Sequence, residues 1–107
     1  MASSVSEAQL VAPDVVNPEV VHSLRRLTRA GRLSDARAST AVDRLAEGTV
    51  SCVPTATLVR DCWRLRHNLS AYDACYVALA RALRCPLLTA DQRLARAPEL
   101  GVTVIHV

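Results

Sequence analysis

"LSAYDACYVALARAL", residues 69–83, reads as a helix that is apolar on nearly every side and carries one carboxylate, Asp73, ahead of Arg81. At helical spacing Ala71, Ala74, Cys75, Ala78, Leu79 and Ala82 cover one flank, and Tyr76 and Val77 extend onto the other. So wide an apolar surface belongs in an interior. A carboxylate buried there without a partner is costly, so Asp73 needs a reason to be present. Two readings are open. "SAYD" has the form of a capping box, Ser70 with Asp73 three residues on. Alternatively, the acid serves chemistry.

Short strands flank this helix. "TVSCV" (49–53), closed by Pro54, and "PLLT" (86–89) are compact and apolar without alternation. "QLVAPD" (9–14) is a strand stopped by Pro13, and "VTVIHV" (102–107) is the last. Asn17 and Pro18 supply an N-cap and first-turn pair for a helix through about Ala30, with Gly31 as its stop. Ser34 caps a second helix through about Glu47, ended by Gly48. A third covers about 55–66, with Leu58, Val59, Cys62 and Trp63 turned inward, and "ADQRLARA" forms a short helix near the end. Unalternating strands separated by helices predict an α/β fold, a parallel sheet covered on both faces. The expected organisation is a single domain over 1–107, with residues 1–8 as a small, polar, flexible tail.

Composition narrows the function. Half of the 107 residues are hydrophobic, which argues against disorder, while Phe is absent and only Trp63, Tyr72 and Tyr76 are aromatic. All 13 basic residues are Arg, so mechanisms needing a lysine ammonium are excluded. The net charge of +3 is compatible with a nucleic-acid partner and does not demand one. Cys52, Cys62, Cys75 and Cys85 lack the close spacing of a zinc knuckle and are expected to be buried, reduced thiols. No apolar run is long enough to span a bilayer and no leader is visible, so a soluble, cytoplasmic protein without a membrane partner is expected.

Three acids fall at equivalent places. Glu19 opens the helix after the first strand, Asp73 lies in the first turn of the apolar helix, and Asp91 follows "PLLT" closely. In an open parallel sheet, strand C-termini and helix N-termini share one edge, where ligands bind. Carboxylates gathered there repel one another unless a cation lies between them, and a hard divalent ion takes such oxygen ligands together with substrate phosphate. Each acid also has a purely structural reading: Asp73 in its capping box, Glu19 against the helix dipole, Asp91 as a cap.

Among the other polar residues, Arg25, Arg29 and Arg32 form a stripe that either grips phosphates or is simply a solvated face. Arg26 shares an edge with Glu19 and Ser23, and Arg93 and Arg96 lie beside Asp91, where they contact substrate or balance the acids. Tyr72 and Tyr76 are candidates for base stacking, with core packing favoured for Tyr76. His22, His67 and His106 are scattered and suggest no role.

"LVAPDVVNPEVVHSLRRL", "RHNLSAYDACYVALA" and "PLLTADQRLARAP" together resemble the PIN-domain ribonuclease toxins of VapBC toxin–antitoxin modules, from about Gln9 to the C-terminus. The resemblance implies a PIN-like fold and an endoribonuclease dependent on Mg²⁺, with Mn²⁺ as a substitute. It further implies a cognate antitoxin that restrains the toxin, an RNA substrate and a homodimer. Carried over by position, Glu19, Asp73 and Asp91 match the family's second, third and fourth acids and serve as catalytic metal ligands that position water for attack on a phosphodiester. Thr89 matches a supporting hydroxyl.

The family's opening strand, "hydrophobic-V-D-A-S", central in its sheet and bearing the first acid, has no counterpart. "MASSV" imitates it with Met1 in the acid's place. The expectation is therefore a member lacking about 25–30 N-terminal residues, through a decayed gene or a start assigned too far downstream. Asp14 is the one nearby acid that could substitute. The alternative function is an inactive remnant that binds antitoxin or dimerises without cutting RNA.

Overall fold

The computed structural model describes residues 9–96 and 100–107. The expected tail at 1–8 lies outside the described residues, as does Ala97, the last residue of "ADQRLARA". Two compact units meet in the chain between Val53 and Pro54. All strand pairing is parallel, in two two-stranded sheets among the described residues.

In the N-terminal unit, β1 (Leu10–Pro13) pairs with β2 (Val50–Val53), Leu10 opposite Val50 and Pro13 opposite Val53. Ala12 and Pro13 are buried. Pro13 has no N–H to give a ladder and ends the strand, and Asp14 continues the pairing by donating its N–H to the Val53 carbonyl at 2.8 Å. Parallel strands need a long crossover, which α1 (Val16–Arg29) and α2 (Asp35–Ala46) supply. Ser34 caps α2 as the sequence predicts, its Oγ accepting from the Arg37 N–H at 3.2 Å.

The start of α1 differs from expectation. Val15, not Asn17, holds the cap position, without a side-chain bond. Asn17 is already in the first turn, donating its N–H to Asp14 O at 3.3 Å and placing Nδ2 3.7 Å from Cys52 Sγ. The chain leaves β1 directly into a helical turn, so the cap falls two residues early.

In the C-terminal unit, a 3₁₀ turn (Thr55–Leu58) leads into α3 (Val59–Arg64), followed by α4 (Ala71–Leu83), β3 (Leu87–Thr89), α5 (Gln92–Arg96) and β4 (Val104–His106). α4 is the centre of this unit. Ala74, Val77, Ala78, Leu79 and Ala80 are buried, and the small alanines let neighbouring elements approach closely. Val77 and Ala80 form a core with Leu87, Leu94 and Leu100, against which Leu65, Leu69, Tyr76, Val102 and Val104 pack. Tyr76 thus takes the packing role favoured for it. The short third helix expected over 55–66 is in fact two pieces, and only Leu58 of its four expected inward residues is buried.

Val59 is 56% exposed and Trp63 67%, with the Arg66 guanidinium 4.3 Å from the indole centroid. An exposed indole gains both apolar cover and a cation–π contact from that arginine. The cysteines also depart from expectation: Cys52 and Cys85 are exposed, and Cys62 and Cys75 are half-buried with their Sγ atoms 3.4 Å apart. No helix of the described residues is long and apolar enough to cross a membrane.

Candidate active site

Ser70 ends the loop before α4 in extended conformation, and its Oγ accepts the Asp73 N–H at 3.1 Å. That satisfies an otherwise orphaned donor of the first turn. Asp73 itself is half-buried, on the margin of the apolar helix rather than inside it. Its presence therefore carries no full desolvation cost, and the residue lines a surface hollow.

Asp91 is built by the end of β3. The Thr89 hydroxyl accepts the Asp91 N–H at 3.0 Å, and Asp91 Oδ1 accepts the Arg93 N–H at 2.8 Å, capping α5. Asp91 Oδ2 stands 3.6 Å from the Arg93 guanidinium. The Arg93 N–H, ahead of the guanidinium charge, holds the Asp91 carboxyl below its ordinary value of 3.8. The ionised form is the one ready to meet a cation.

Asp73 and Asp91 line the same hollow, of 310 Å³, with Asn68, Leu69, Ser70, Arg93 and Leu94. Its lining residues with oxygen-bearing side chains are Asp73, Asp91, Ser70 and Asn68, the Ser70 hydroxyl already accepting the Asp73 N–H. That is the chemistry of a hard cation such as Mg²⁺, which binds through one or two carboxylates and completes its shell with water and substrate phosphate. The donor set fits such an ion. Glu19 lies in the first turn of α1, in the N-terminal unit, half-buried, its N–H donating to Val15 O at 3.3 Å. Among the described residues, no three His, Cys, Asp or Glu side chains are gathered as a metal-holding group.

Two contributors escape sequence reasoning. Asn68, in the turn before α4, lines the hollow. His106, on β4 opposite Thr89, places Nε2 3.2 Å from the Ala90 carbonyl, a contact in which the ring nitrogen donates. The adjacent Val107 N–H donates to Thr89 O at 2.9 Å, so β4 braces both residues that precede Asp91. Only the parallel pairing of β3 with β4 reveals this. A histidine near the end of a final strand gives no such signal.

A model of the PIN domain family matches residues 2–100. Ribonuclease VapC1 of Mycobacterium tuberculosis (strain ATCC 25618 / H37Rv) is 46% identical over 90 residues, 83% of this chain and 68% of that protein. VapC ribonuclease Mb0985 of Mycobacterium bovis is 42% identical over 91 residues, 85% of this chain and 72% of its own length. Ribonuclease VapC3 of Pyrobaculum aerophilum is 35% identical over 97 residues, covering 86% and 74% respectively.

Proposed function

Since the chain belongs to the PIN-domain family, among its VapC ribonucleases, we propose that it is a toxin-type endoribonuclease that hydrolyses RNA phosphodiesters with Mg²⁺, or Mn²⁺ in its place. The observation that carries the reading is the shared hollow of Asp73 and Asp91. The Asp91 carboxylate caps α5 through the Arg93 N–H, whereas at Asp73 the bond to Ser70 is made by the backbone N–H and not by the carboxylate.

In this reading Asp73 and Asp91 hold the cation. A bound divalent ion supplies Lewis-acid polarisation of a phosphate oxygen and of an attacking water. The protein's residues do the rest. Asp91 is kept ionised by the Arg93 N–H and aimed by Thr89, whose hydroxyl holds the loop at the end of β3. Ser70 fixes the first turn of α4 and with it the direction of Asp73. No side chain in the hollow is a nucleophile activated by a base, which favours direct attack by water over a covalent enzyme intermediate. The proposed partners are a cognate antitoxin, an RNA substrate and a second copy of the chain.

The test is cleavage of RNA by the purified protein with Mg²⁺, with a chelator, and with Asp73→Asn. The expected result is cutting that requires the metal and falls by at least a hundredfold in the variant, as for loss of a principal charge-stabilising group. Cutting that survives Asp73→Asn removes the assignment. Intact RNA together with tight antitoxin binding supports instead a chain that binds its partner without cutting.

A further inference from the structure

We propose that Arg93 occupies the cation's place on Asp91, leaves Oδ2 when a divalent ion binds, and then holds an RNA phosphate at the same hollow. This rests on the reading of Asp73 and Asp91 as the cation site. Arg93 engages both oxygens of Asp91, Oδ1 by its N–H at 2.8 Å and Oδ2 by its guanidinium at 3.6 Å, beside a further backbone hydrogen bond from Leu94. The two contacts differ in kind. The first is fixed by the backbone of α5 and persists whatever the side chain does. The second belongs to a side chain 93% exposed, against 37% for Asp91, and at 3.6 Å it is a loose ion pair rather than a forked hydrogen bond. Such pairs are worth little in water, so a divalent ion can displace this one readily.

Displacement leaves an arginine on the rim of the hollow, tethered by its own N–H to the carboxylate it has released. A guanidinium there meets the part of a polyanion nearest the reacting centre and suits a phosphate, which it can hold with two parallel N–H donors. Arg93 thus acts as a positioning residue. It neutralises the empty site, and once the site is filled it supplies a charge to the substrate. The arrangement predicts effects of opposite sign on two ligands, which neither a helix cap nor a general basic surface would give.

The experiment measures Mn²⁺ binding by electron paramagnetic resonance, and RNA binding in Ca²⁺ by fluorescence anisotropy, on the full chain. The variants are Arg93→Ala, Arg96→Ala and Asp73→Asn. Arg96 lies on the same helix and carries the same charge but neither lines the hollow nor pairs with Asp91, so it serves as the control for net charge. Arg93→Ala is expected to bind Mn²⁺ about two- to fivefold tighter, the range that loss of a competing surface ion pair allows. Its RNA affinity is expected to fall, with a salt dependence shallower by about 0.7 in slope, one phosphate contact on a single strand. Arg96→Ala should move Mn²⁺ affinity less. Equal tightening in both variants, or unchanged or weaker Mn²⁺ binding in Arg93→Ala, overturns the proposal. So does unchanged RNA binding in Arg93→Ala. Failure of the underlying reading looks different: wild-type protein that takes up no Mn²⁺, or Asp73→Asn that binds it as well as wild type.

Discussion

The Arg93 N–H donates to Asp91 Oδ1 at 2.8 Å, so the residue assigned to the cation is also the one that starts α5. Structure and chemistry are separable there by substitution. Asp91→Asn keeps an oxygen that can accept the N–H and removes the charge; Asp91→Ala removes both. RNA cleavage is expected to be lost in both variants, whereas the melting temperature at neutral pH should fall further in the alanine variant than in the asparagine one, which keeps the cap and loses only the charge. Cleavage that survives in Asp91→Asn would leave Asp91 as a cap alone.

The pH dependence of Asp91 has a definite sign. Its carboxyl in the folded protein titrates below the ordinary 3.8, because the Arg93 N–H favours the charged form. The unfolded chain therefore binds the proton first on acidification, and the stabilisation is present above pH 3.8 and is lost as pH falls through the depressed folded value. Unfolding curves of wild type and Asp91→Asn, taken from neutral pH downward, should converge only below that ordinary value.

Ser70→Ala tests the other helix start. Its Oγ is the partner of the Asp73 N–H, and loss of such a cap costs about 1 kcal/mol. Denaturant titration should give that loss with no change in unfolding slope. Cleavage should drop modestly, through misaimed Asp73, and far less than in Asp73→Asn.

The Cys62 thiol is pushed up from 9.0 to about 11 by burial, by its hydrogen bond to Cys75 and by the negative charges of Cys75 and Asp61 nearby. The folded state holds this proton longer than the unfolded one. Stability from it is complete below pH 9 and is lost as pH rises toward 11. Mass spectrometry after brief treatment with iodoacetamide at mild alkalinity should find exposed Cys52 and Cys85 alkylated well before Cys62.

Much of the architecture was legible because local chemistry carried it. Ser34 and Ser70 announce helix starts, Gly31 and Gly48 sit at positive φ just past helix ends, and "TVSCV" and "PLLT" are strands of nearly the predicted extent. The first-turn positions of Glu19 and Asp73 followed from the same signals. What escaped depends on neighbours. Trp63 and Val59 fall on an apolar stripe, but periodicity says only which residues share a face, never that something covers it. The four cysteines sit in apolar runs and two are nonetheless exposed, for the same reason. Asn17 is a good cap residue displaced by a helix that begins straight off a strand. The brace from His106 needed the fold.

That brace makes the loop before Asp91 vulnerable from an unexpected direction. Loss of residues 105–107 would take away both the imidazole beneath Ala90 and the amide on Thr89. A handful of lost residues, none of them an acid, would slacken the hollow while leaving α4 and its alanine contacts whole. The enzyme could be disarmed without being unfolded.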